Sequence, residues 1–400
     1  MTSSAGPRHS PWLAVAGVCG VYFAFGLAVG IMGPLVGEIR SDLGLSQSRM
    51  GSILGAWALI YVFTSVPAGA VVDRLGLRWS LTLGGLFIAL SLLLRSIAQG
   101  GWSLFGAVAI FGIGGPLVSI ATPKLVASLF EEDDRRLPTG FGVAAPAVGS
   151  AVALATANPV LLPLADGRWR GVMVIMSGVA VAATLGWLYA SRAVSQVDRE
   201  PTKTHLSTLV RLLRLRSMQR ILSISLFSFF FAHALSNWLP EILADTGFSD
   251  SEAGLLAALS VAVGIAGSLS IARLVPSASR AHALMAVFAV LAAMSLLLTI
   301  TPTAILVVVL ALLGFARAGV IPLLFLEIMG DDHIGLGDIG AATGLFFAVG
   351  EIGGFTGPYA VGYVADRADG FGAATVMLAV VAMAGAAAAG LLRSRAPASG

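Results

Sequence analysis

Charge is what this chain has least of. Only 11% of its 400 residues are Asp, Glu, Lys or Arg, against roughly 25% in a soluble globular domain, so a water-solvated surface over most of the chain is excluded. Lysine is nearly missing: Lys124 and Lys203 stand alone among 24 basic residues, and the rest are arginine. The single cysteine, Cys19, lies inside an apolar run, which rules out an intrachain disulfide and a cysteine-based metal cluster. No P-loop, histidine cluster or serine-nucleophile motif occurs. Neither ATP drive nor enzyme chemistry is therefore expected, nor a cofactor or a metal.

What the chain does have is apolar length. It is 57% hydrophobic with 48 glycines and a mean hydropathy of +0.91, the composition of an all-α integral membrane protein whose helices pack through small residues. At about 20 residues per crossing, twelve spans are expected, near residues 11–37, 48–71, 79–98, 102–130, 137–163, 171–191, 218–241, 251–273, 281–300, 303–329, 338–364 and 372–392. The start, MTSSAGPRHS, is too weakly basic for a signal peptide and the run after it too long, so an uncleaved first helix is expected.

One long polar segment divides the spans. It carries Arg192, Arg199, Lys203, Arg211, Arg214 and Arg216. This organisation predicts an N-terminal six-helix bundle over 1–191, a cytoplasmic linker over 192–217 and a C-terminal six-helix bundle over 218–400. Within the linker, HLSTLVRLLRLRS spaces apolar residues helically with arginines between them, as a basic amphipathic helix on the inner leaflet does. With both termini cytoplasmic, about sixteen basic residues fall inside and about six outside, which satisfies the positive-inside rule. The expected location is the cytoplasmic membrane of a prokaryote. The net charge of +3 and pI near 9.3 then belong to loops and do not mark a nucleic-acid partner.

The halves repeat. TGFGVAAPAVGS from Thr139 and TGLFFAVGEIGG from Thr343 lie 204 residues apart, and FGIGGP at Phe111 and GFARAG at Gly314 recur at a similar offset. Such repeats predict two bundles related by an axis along the membrane normal, with a site between them near the midplane. Between the second and third spans, GAVVDRLGLR over Gly69–Arg78 reads as a short polar turn, because charge in hydrocarbon is costly. Its G-x-x-x-D-R-x-G-x-R spacing resembles the loop between the second and third helices of the major facilitator superfamily of secondary transporters, with Leu77 where the family's first basic residue of G-R-[KR] stands. The second copy is degenerate, keeping only Arg273 and Arg280. The resemblance implies a gating role for Gly69, Asp73, Arg74, Gly76 and Arg78, with Asp73 latching one face shut near the start of a helix in the other half. A carboxylate at a helix N-terminus is favoured by unpaired amides and the macrodipole there. A plain positive-inside anchor is the other reading of this loop.

Few ionisable residues remain at membrane depth, and each is costly enough there to be a functional candidate. Arg317 and Glu351 are placed by helix rise near the middle of the tenth and eleventh spans, where they are expected to meet. They form either a structural ion pair or a coupled site, Arg317 gripping an anionic substrate in two bonds and Glu351 taking up a proton. Lys124, toward one end of the fourth span, either snorkels to the interface or draws anions to the cavity mouth. His233 and Asn237 share a face of the seventh span and are candidates for substrate or proton contact. Tyr22, Trp57 and Tyr61 offer aromatic and hydroxyl surface, or ordinary packing.

The balance of buried charge points to a small anion moved by proton symport, in a monomer whose partners are substrate, protons and lipid. The run from Phe111 to Arg136 and SNWLPEIL in the seventh span look like the cyanate and nitroimidazole branch of the superfamily, a look that monocarboxylate carriers share. Pro146 and Gly149 resemble part of a motif of drug and proton antiporters, with Ala145 and Ser150 where further glycines belong, so an efflux antiporter for amphipathic compounds is the alternative. A transport-inactive membrane sensor is a more remote one.

Overall fold

The computed structural model describes residues 11–193, 206–300, 302–335, 338–368 and 370–392, and every element of regular structure in them is helical. Arg199 and Lys203 of the linker lie outside the described residues. The longer helices are α1 (Pro11–Gly30), α2 (Val36–Leu43), α3 (Gln47–Ser96), α4 (Gly101–Leu129), α5 (Arg136–Thr156), α6 (Trp169–Ala190), α7 (Leu206–Arg214), α8 (Arg216–Asp245), α9 (Asp250–Leu274), α10 (Arg280–Leu297), α11 (Thr303–Met329), α12 (Ile339–Ala368) and α13 (Gly372–Gly390). Among the described residues, 11 helical stretches are long and apolar enough to cross a membrane.

One of the eleven, α3, has 50 residues. At 1.5 Å per residue it runs roughly 75 Å, more than twice the hydrocarbon thickness. The polar turn expected over Gly69–Arg78 is therefore different in kind. These residues stay helical, and the break is a single residue, Gly76, at φ 75° and ψ 164°. A side chain is strained at that φ, so glycine is what lets the chain fold back without a loop.

The first apolar stretch is broken too. α1 ends at Gly30, a short 3₁₀ turn over Gly33–Leu35 follows, and α2 resumes at Val36. Helix ends leave carbonyls without partners. Buried Arg95, at the end of α3, donates Nη1 to the carbonyl of Ala28 at 2.9 Å, a cation where the macrodipole favours one. Asn158 bridges the same break to α9, donating to Pro34 and Asp250 carbonyls at 3.1 Å each.

Packing follows the repeat. α5 packs on α1 in its own half and on α9 in the other; α12 packs on α8 in its own half and on α3 in the other. A Cβ at Gly149 would collide with the Phe23 carbonyl, and one at Gly353 with the Leu226 carbonyl. These glycines lie 353 − 149 = 204 residues apart, the repeat offset, and both let two backbones touch where a lipid-soluble helix pair has little else to hold it. The linker helix α7 is clamped at one point: Arg211 Nη2 meets Asp338 Oδ2 at 2.5 Å and Nη1 donates to the His333 carbonyl at 3.3 Å.

Candidate functional site

Glu351 lies mid-way along α12, 3% exposed. The space around its Oε2 is left by glycine: a Cβ at Gly354, one turn along, would collide with Glu351 Oε2 and stand 2.9 Å from Nδ1 of His233. Gly354 thus leaves the space in which α8 and α12 bring these two side chains together. His233 Nδ1 is 3.7 Å from Glu351 Oε2, and Oε2 itself has no hydrogen-bond partner. The His233 ring stacks on Trp57 of α3 with centroids 5.0 Å apart and planes 28° apart. Carboxyl, imidazole and indole therefore form one line that crosses from the C-terminal half to the N-terminal half.

Arg317 does not join that line. Equal depth leads one to expect an Arg317–Glu351 ion pair, but the two form none; Arg317 Nη1 instead donates to Ser236 Oγ of α8 at 3.0 Å. Depth is fixed by residue number, whereas rotation about the helix axis decides which neighbour a side chain meets. Close contact of α11 with α9 sets that rotation, since a Cβ at Gly314, one turn before Arg317, would collide with the Ser260 carbonyl. The guanidinium borders a cavity of about 10 Å³ shared with Leu154 of α5, Ser236 of α8 and Ser260 of α9, about the space that one water needs. Arg317 Nε and Ser260 Oγ are both buried there without partners.

Ser236 and Ser260 are additions that the sequence did not single out; serine is common in membrane helices, and only the spacing His233–Ser236, one turn, hinted at the first. Of the other candidates, Trp57 and Tyr61 line the contact between halves, Tyr61 against Phe347 at 6.1 Å. Tyr22 donates to Ser119 Oγ of α4 at 3.3 Å. Asn237 spends its Nδ2 on the His233 carbonyl at 2.8 Å.

Lys124 meets Asp73, Nζ to Oδ1 at 2.5 Å. Both belong to the N-terminal half, so Asp73 is not latched to the other one. Gly69 and Gly76 face open space, and Arg78 lends its carbonyl to the Trp187 indole N–H at 3.0 Å. At the opposite end the halves are joined. Asp366, at the close of α12, accepts from the backbone N–H of Gln47 at 2.8 Å and of Ser48 at 2.7 Å, and from the Ser48 hydroxyl. It caps the N-terminus of α3, where unpaired amides favour a carboxylate. Arg40 and Glu241 pair nearby at 3.6 Å.

Helices joined across the chain's two halves at one end by Asp366, with ionisable side chains at mid-depth, accord with the family that the sequence matches. Residues 18–358 match the family model of the Major Facilitator Superfamily, and the chain belongs to that superfamily. It is 26% identical over 224 residues to the 2-nitroimidazole transporter of Escherichia coli (strain K12), covering 56% of this chain and 55% of that protein, so it spans about half of that relative's length. It is 31% identical over 161 residues to the probable L-galactonate transporter of the same organism, covering 38% and 34%. With the probable galactarate/D-glucarate transporter of Bacillus subtilis (strain 168) it shares 24% identity over 409 residues, 87% of this chain and 84% of that one.

Proposed function

We propose that this protein is a secondary active transporter that carries a small anion by alternating access, in symport with protons. Residues 1–191 and 218–400 act as two six-helix bundles joined by the segment 192–217. They make twelve crossings, α3 supplying two, and rock about a site at mid-depth. The charge bias puts the Asp73 end in the cytoplasm of a prokaryotic cell. The end held by Asp366 is then external, and the conformation is inward-facing.

One observation carries the anion. Arg317 is a half-buried guanidinium whose buried Nε is unpartnered, with an unpartnered serine hydroxyl beside it and, among the described residues, no carboxylate paired to it. A buried cation without a counter-charge is costly, and an oxyanion in the adjoining space would take Nε and Ser260 Oγ together. The sugar acids named for two of the relatives agree with this.

Proton coupling follows from charge arithmetic. Empty, the site holds one guanidinium and one carboxylate and sums to zero. With a monovalent anion on Arg317 and a proton on Glu351 or His233, it sums to zero again. Either passenger alone leaves a unit charge in a low-dielectric interior, which disfavours the occluded half-loaded states. Glu351 is the proton site in this reading, and His233 the group that relays between it and the cavity.

Proteoliposome flux with an imposed pH gradient tests the scheme. Arg317→Ala is expected to abolish anion uptake, while Glu351→Gln keeps anion exchange and loses accumulation driven by the gradient. Full accumulation by the glutamine variant would remove Glu351 from the coupling.

A further inference from the structure

Resting on that reading, we infer that the carried anion has a flat, unsaturated body, an arene or azole bearing one oxyanion group. Its ring stacks on Trp57 in the place His233 now holds, and its oxyanion lies on Arg317 and Ser260.

Hydrogen-bonding capacity is the first reason. A polyhydroxylated acid needs a donor or acceptor for each hydroxyl that it buries, because an unmade bond costs the full desolvation of that group. Around the site the polar groups are mostly committed: Asn237 to the His233 carbonyl, Tyr22 to Ser119, Thr64 to the carbonyls of Ile60 and Gly112. Among the described residues, the fully buried side-chain atoms there that stay unpartnered are Arg317 Nε, Ser260 Oγ and Glu351 Oε2. That set satisfies one oxyanion and one proton. It does not satisfy a chain of hydroxyls.

The second reason is shape. Trp57 stacks on His233 at 5.0 Å and packs edge-on to Phe111 at 5.3 Å; Phe229 also stacks with His233, at 5.7 Å. A five-membered aromatic ring is thus already held flat against the indole, across the divide between the halves. Because Trp57 and His233 belong to different halves, their stack opens as the halves part and frees the indole face. His233 and Ser236, the Arg317 partner, are three residues apart on α8, about 4.5 Å along the axis. That is the scale of a carboxylate joined directly to a ring, so one small molecule reaches both groups.

The test uses purified full-length protein in detergent with radiolabelled benzoate, read by scintillation proximity, each variant first confirmed monodisperse by size exclusion. Unlabelled benzoate should displace the label, cyclohexanecarboxylate should need roughly tenfold more, and D-galactonate should not compete in that range. Trp57→Phe should retain binding, Trp57→Leu should weaken it roughly tenfold, and Arg317→Ala should remove it. Equal competition by the saturated ring, displacement by galactonate, or unchanged affinity in Trp57→Leu would overturn the flat-body inference and leave the anion reading standing. Thermal-shift scans with acetate, benzoate and D-galactonate on wild type and Arg317→Ala separate the two further: Arg317-dependent stabilisation by galactonate alone overturns this inference, and none by any anion overturns the transporter's anion site itself.

Discussion

Gly354 contributes no functional group, yet the site's geometry depends on it. A methyl there would meet Glu351 Oε2 and crowd His233 Nδ1, in a close-packed interior where overpacking costs about 1–3 kcal/mol. Gly354→Ala should therefore fold with a lowered melting temperature, exchange anion, and lose accumulation under a pH gradient, since the displaced groups are those assigned to the proton. Accumulation at the wild-type level would show that the contact between His233 and Glu351 has no part in coupling. Arg317, Glu351 and His233 were legible in the sequence because ionisable residues at membrane depth are scarce and costly. Their partners were not legible, because helix rise gives depth but not rotation. Arg95 escaped notice for a related reason: it sits near the end of a span, where an arginine ordinarily reaches water, and only the break in α1 shows that the Ala28 carbonyl holds it inside.

At the scale of the element, α3 shows what hydropathy reads and what it misses. Two spans with polar residues between them are visible in the hydropathy, and charged residues between spans ordinarily mark a loop. The helix instead continues through Asp73 and reverses course at Gly76, and it holds the carboxylate by pairing it with Lys124 of α4. The only lysine among the spans thereby acquires a partner that sequence distance concealed. With Asp73 and Lys124 both half-covered, removing one leaves the other charge without its counterpart, while removing both does not. Asp73→Asn and Lys124→Gln should each slow uptake several-fold, and the double variant should be faster than either if the pair acts as a unit. Strictly additive losses in initial rate would mean that each residue acts on something else.

For the whole molecule, alternating access as proposed requires something that holds one end shut. Asp366 answers it with three acceptor contacts to the first turn of α3, made from one half to the other. Its place mirrors the role that the family resemblance implies for Asp73 at the far end, but Asp73 pairs with Lys124 of its own half, whereas Asp366 engages across the halves. Charge-assisted hydrogen bonds contribute roughly 1.5–3 kcal/mol, and a difference of that size shifts a two-state population about tenfold or more. Asp366→Asn should accordingly move the population toward states in which that end opens. Pulsed electron–electron distance measurements between spin labels at Gln99 and Thr246, in a Cys19→Ser background, should show a longer component growing in the variant. The Asp73 end should answer in the opposite sense, since alternating access couples the two. A distance distribution unchanged by Asp366→Asn would reduce that carboxylate to a helix cap and place the closing force in the apolar contact between α3 and α12.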